Sequence, residues 1–148
     1  MTDDIKTPEA NEEQILYAKI LEVGMYIGLM ILLVTFVLYM TGIMAPAVPI
    51  ELLPNYWVLP VHDYLETINH EYLHRDHVVT GWGWLAVLGK GDFVNFLGIA
   101  VLSGVTIVCY VGILPTLLRK KQTAYLLMAL AEVIILVLAA SGILTAGH

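Results

Sequence analysis

Charged side chains are distributed very unevenly along this chain. Residues 23–50 and 93–118 contain no Asp, Glu, Lys or Arg, and residues 122–148 contain only Glu132. Each stretch supplies the roughly 20 apolar residues that an α-helix needs to cross a bilayer. The pattern predicts an all-α membrane protein with three transmembrane helices, at about 23–44, 93–118 and 123–144. Pro46 and Pro49 cannot continue a helix and close the first span. Pro115 falls in the last turn of the second, where a missing backbone donor costs little. Only Arg119-Lys120-Lys121-Gln122 separates the second span from the third, so these two form a tight antiparallel hairpin. Residues 1–14 are polar, acidic and interrupted by Pro8, and read as a tail. Residues 15–22 lead into the first span, and the membrane domain covers 15–148 with a long loop at 45–92.

Between the first two spans the pattern changes period. Residues 48–60 mix Pro49, Pro54 and Pro60 with Leu53, Tyr56, Trp57 and Leu59, a composition that suits the headgroup region. Residues 61–79 then read as one amphipathic helix. At about 100° per residue, His62, Glu66, His70, His74 and His77 fall within about a third of the wheel, with Tyr64, Leu65, Ile68 and Tyr72 opposite. Trp82 and Trp84 sit between glycines and suggest an interfacial re-entry, with Asp92 as the N-cap of the second span.

Lys and Arg positions set the expected orientation. Lys6, Lys19, Arg119, Lys120 and Lys121 lie at one side, and Arg75 and Lys90 at the other. This places the N-terminus in the cytoplasm, and the 45–92 loop and the C-terminus in the periplasm. All five histidines, His62, His70, His74, His77 and His148, then lie on the outer side.

Composition supports this picture and narrows the function. The chain is 59% hydrophobic and only 14% charged, against roughly a quarter charged in soluble domains, which excludes a soluble enzyme. The net charge of -6 argues against nucleic acid, which needs a basic surface. The lone Cys109 excludes a disulfide framework and a C-x-x-C-H haem attachment. No secretory signal is visible, since the first residues are acidic where a signal is basic. Three spans leave little room for a private cavity, which argues against a self-contained transporter.

The sharpest local string is His70-Glu71-Tyr72-Leu73-His74, which fits H-E-x-x-H. On a helix this spacing puts two imidazoles on one face and a carboxylate beside the metal-bound water. In these five residues the chain resembles the zincin metalloproteases. The resemblance implies His70 and His74 as zinc ligands and Glu71 as general base. His77, His62, His148 or a partner chain are candidates to complete a site for zinc or another divalent metal. Against it, no metzincin-type extension follows and a 48-residue loop cannot build a protease cleft. The preferred reading is a solvated polar face, with His62, Glu66, Trp82 and Trp84 docking a partner. No His lies within a span, so the chain is not an ordinary haem b anchor.

Glu132 lies about ten residues into the third span, where an acidic group costs several kcal/mol unless it meets protein or water. Tyr110, Thr106, Gly28 and Tyr26 are candidate partners by depth. The alternatives are a protonated, hydrogen-bonded Glu at a helix interface, which we favour, and a proton relay or contact to a quinone head group. Gly24-x-x-x-Gly28, Gly98, Ser103, Gly104, Gly112, Ala139, Ala140 and Gly142 predict close helix packing. Met25, Met30, Met40, Met44 and Met128 serve as packing filler.

No complete active site or pore emerges. The Gly-Trp-Gly-Trp string, the Gly-Asp before the second span and the Leu-Arg-Lys-Lys turn resemble those of bacterial inner-membrane proteins, which implies a location and no mechanism. The expectation is a non-catalytic subunit of a multi-subunit inner-membrane complex, of respiratory or other electron-transfer type. It contacts the bilayer, other membrane subunits and a periplasmic protein. The alternatives are a metal-binding protein or zinc-dependent hydrolase, and an accessory chain of a transporter or channel.

Overall fold

A computed structural model describes residues 9–143. It is all-helical among those residues, with α1 at Glu12–Met40, α2 at Leu53–Tyr56, α3 at Val61–Ile68, α4 at Gly91–Arg119 and α5 at Thr123–Ala140. A π-helical turn at Asn69–Leu73 follows α3, and a 3-10 helix occupies Gly81–Val87. Helices α1, α4 and α5 are the three long and apolar enough to cross a membrane. At most 17% of the most apolar window of any of these helices is buried inside the chain, so most of their apolar surface is exposed.

The chain forms two compact units. The first takes in the described residues up to Tyr26 and from Gly104 onward. Here α1 starts at Glu12, inside the segment that composition reads as a tail, and 11 residues before the first apolar span. The reason is local: Gln14 reaches back to accept from the Asn11 N–H at 2.9 Å, one half of a capping box. Glu12 and Glu13 add negative charge to the first turn, where the helix dipole favours it. Charged residues stop a membrane span but not a helix. At 1.5 Å per residue α1 is about 43 Å long, against an apolar core of about 30 Å.

In the same unit a Cβ at Gly24 would lie 2.5 Å from Val105, and one at Gly112 would lie 2.5 Å from Ile20. These glycines set α1 and α4 side by side, antiparallel. Cys109 is fully buried there, with its Sγ 3.7 Å from the Tyr17 carbonyl oxygen. Lys120 pairs with Glu13 at 2.6 Å and Glu12 at 3.3 Å, so the start of α1 and the α4–α5 turn share one end. Those two carboxylates hold the Lys120 ammonium above its ordinary pKa, Glu13 most strongly. The turn is a Schellman motif: Gln122 N–H donates to Leu117 O and Lys121 N–H to Leu118 O, each at 3.2 Å, with Lys121 at φ 53°.

The second unit comprises Ile27–Ser103. Gly28 admits the Leu102 side chain, and Gly98 admits the Leu32 backbone, whose Cα would lie 2.9 Å from an added Cβ. Helix α1 ends at Met40, four residues before the predicted limit, with Gly42 at φ +70° just beyond. Ala47, Val48, Ile68 and Val87 form a small core under the loop. The expected role of Asp92 is corrected. It sits within the first turn of α4, and its carboxylate accepts from Ala47 N–H at 2.8 Å and Val48 N–H at 3.3 Å. It satisfies donors of the preceding loop, whose prolines leave these groups outside any helix.

The single helix expected over 61–79 is also corrected. α-Helical bonding stops at Ile68, and all helical structure stops at Leu73. His74 adopts the left-handed conformation (φ 50°, ψ 45°), and its N–H donates five residues back to Asn69 O at 2.7 Å. The Asn69 side-chain amide donates to Arg75 O at 2.8 Å, giving the chain a competing local partner where the helix would continue.

Candidate functional site

Glu132 lies in the middle of α5, on the wall of a groove of about 500 Å³ within the first unit. Starting from the shared end of α1 and the α4–α5 turn, the groove is lined by Asn11, Glu13, Gln14 and Gln122. Deeper in come Ile113, Leu117, Met128 and Ala129, with the two phenols Tyr110 and Tyr125. Helical rise puts Glu132 about 15 Å along the axis from Gln122. Tyr110 is held edge-on by Tyr17, with ring centroids 5.6 Å apart. Glu132 is half-buried, and its carboxylate makes no hydrogen bond or ion pair among the described residues. Of the four partners proposed by depth, Tyr110 shares the groove and Thr106, Gly28 and Tyr26 do not line it.

The sequence pattern singles out Glu132 and Tyr110 and misses the rest of the groove. Composition places Asn11, Glu13 and Gln14 in the tail. The Asn-Glu-Glu-Gln string is itself the signal that could have placed them at a helix start.

In the 45–92 loop, the other singled-out residues are spread out. His62 and Glu66 pair on α3 at 3.2 Å, both well exposed. His70 lies on the π turn, His74 ends it, and His77 falls beyond all helical structure, so the five do not share one helix face. H-E-x-x-H requires its two histidines one α-turn apart, and a π turn with a left-handed His74 replaces that turn. Glu71 is engaged elsewhere: Tyr56 O–H donates to its Oε2 at 2.7 Å and lies 3.0 Å from the Tyr72 hydroxyl. This network pushes the Tyr56 phenol well above its ordinary pKa, through Tyr72 first and Glu71 second. Among the described residues no group of three or more His, Cys, Asp or Glu is placed to hold a metal, and His148 lies outside them.

Trp82 and Trp84 stack at 6.1 Å, Trp84 stacks on Phe96 at 5.9 Å, and Phe96 on Phe93 at 6.0 Å. This aromatic run ties the 3-10 helix to the start of α4. Beneath α3, a cavity of about 200 Å³ brings Tyr64 near Asp92, and burial raises the Tyr64 phenol. Away from these contacts, Trp57, Val58 and Val61 are 71%, 83% and 76% exposed on the loop.

No family model matches the chain, and no solved structure matches it. A protein of Archaeoglobus fulgidus, described only as uncharacterized, is 45% identical over 137 residues, spanning 93% of this chain and 92% of its own length. The likeness therefore runs through all three long helices and the loop between the first two, and the chain belongs to the family of this archaeal protein.

Proposed function

We propose that the chain is a small integral membrane subunit of a larger assembly, docking a partner at the outer surface through its 45–92 loop. One observation carries the reading: Trp57, Val58 and Val61 are strongly exposed apolar residues outside the three long helices. Trp is among the side chains enriched as energetic anchors of protein interfaces, and here it stands exposed beside two exposed valines. The sparse burial of the long helices is compatible with neighbouring membrane subunits. The chain sits in the cytoplasmic membrane with its N-terminus inside and its C-terminus in the periplasm. This follows from the Lys and Arg bias, and the ion pairs of Lys120 with Glu12 and Glu13 are consistent with it. The archaeal relative widens the setting from a bacterial inner membrane to prokaryotic cytoplasmic membranes in general.

The assembly we favour is an electron-transfer one, with His62, Trp82 and Trp84 beside a periplasmic redox partner. The test is purification of the tagged full chain from native membranes in mild detergent. Larger subunits should co-purify, and Trp57→Ala with Val58→Ser should lower their recovery about tenfold or more. Recovery of the wild type only as an isolated monomer overturns the subunit reading. A complex lacking haem, flavin and iron–sulfur absorption overturns the electron-transfer assignment alone.

A further inference from the structure

We propose that the Glu132 groove binds an amphipathic organic cation. The volume of about 500 Å³ lies in the range of small-molecule sites. Its walls are mainly apolar, and no Lys, Arg or His lines it. Of its two carboxylates, Glu13 already has a partner in Lys120, at 2.6 Å. Glu132 has none among the described residues, so the hydrogen-bonded Glu expected at a helix interface is not found, and one carboxyl group beside the apolar wall is left without a hydrogen-bond or ion-pair partner. Two phenol rings, Tyr110 and Tyr125, stand in the same walls, and aromatic faces attract cations.

Each competing occupant leaves part of this surface unmatched. A neutral quinone offers the carboxylate no charge. A hydrated metal ion offers nothing to Ile113, Leu117 and Met128, and an anion is repelled. A cation carrying an apolar body satisfies both the carboxylate and the walls. Its entry from the end marked by Gln14 and Gln122 passes polar groups that can replace part of its hydration. This site is separate from the loop and does not depend on the docking reading.

The experiment uses the full chain in lipid nanodiscs, with tetraphenylphosphonium as the probe and equilibrium dialysis as the measurement. Saturable binding is expected in the wild type. Glu132→Gln should weaken it about tenfold or more, since it removes a charge-assisted contact. Glu132→Asp should retain most of the affinity, and Glu51→Gln, at an exposed loop position away from the groove, should change nothing. Helical circular dichroism of each variant separates lost binding from lost folding, and Glu132→Ala, with the same expected loss, carries the test if the Gln variant does not fold. The proposal is overturned if the wild type shows no saturable binding or if the Gln variant binds as tightly. Equal binding of the isosteric anion tetraphenylborate also overturns it.

Discussion

Gly98→Ala is the substitution for which the structure gives the sharpest expectation. An added Cβ would lie 2.9 Å from Cα, Cβ and N of Leu32, whereas carbon atoms in contact settle at about 3.5–4.0 Å. Two of those three atoms are backbone, so no side-chain rotation relieves the overlap. The segments of α1 and α4 that meet there must separate by about 0.6 Å or more. Overpacking of this kind costs about 1–3 kcal/mol, and the better helix propensity of Ala returns at most about 1 kcal/mol. A net loss of about 1–2 kcal/mol is expected. Two further glycines calibrate the measurement. Gly28→Ala meets Cγ and Cδ2 of Leu102 at 2.6 Å, side-chain atoms that a rotation about χ1 can move, with the Leu102 backbone N only at 3.4 Å, and should cost less. Gly104→Ala meets nothing within 4 Å and should be neutral or slightly stabilising. Unfolding in mixed micelles titrated with sodium dodecyl sulfate, followed by circular dichroism, ranks the three. A Gly98→Ala midpoint equal to or above that of Gly104→Ala would refute the close approach of α1 and α4 at this level.

Two other expectations concern the loop. Asp92→Ala leaves the N–H groups of buried Ala47 and Val48 without an acceptor, at a cost of about 3 kcal/mol. Asp92→Asn, which keeps one acceptor oxygen, should lose about half as much. Faster amide hydrogen exchange at both residues is the direct readout, and unchanged exchange in the Ala variant would exclude the contact. For Tyr56, a folded pKa above the unfolded one means that the contribution of the Tyr56–Glu71–Tyr72 network is complete below about pH 10 and drains away as pH rises beyond it. Tyrosinate absorbance should show one phenol titrating earlier in Glu71→Gln, with Tyr64 unmoved. No such change would place the Tyr56 hydroxyl elsewhere.

The parts of this molecule legible in its sequence are those set by one-dimensional quantities. The second charge-free run predicted 93–118, and α4 occupies Gly91–Arg119, because the turns at both ends carry charges and break hydropathy where they break the helix. For α1 the two signals separate. Glu12, Glu13, Lys19 and Glu22 exclude the first turns from the bilayer core, yet a capping box and the helix dipole keep them helical. The amphipathic period over 61–79 was real as a pattern, but periodicity does not register a side chain such as Asn69 that offers its amide to the backbone. Glu132 stood out because charge is scarce in the third run. Of its surroundings only Tyr110 did, by depth, since Gln14 and Tyr125 lie far apart in the chain and only helix packing brings them to one groove.

Cys109 has a practical consequence. It is the only cysteine, its exposure is 0%, and it lies against the α1 backbone in the packed interior of its unit. A water-soluble maleimide should therefore pass over the native chain, which makes it its own blank for thiol chemistry. A cysteine placed at Val58 or Lys121 would then be the single reactive site. Labelling it from one side of a sealed vesicle or the other would read the orientation of the molecule without first removing the native cysteine.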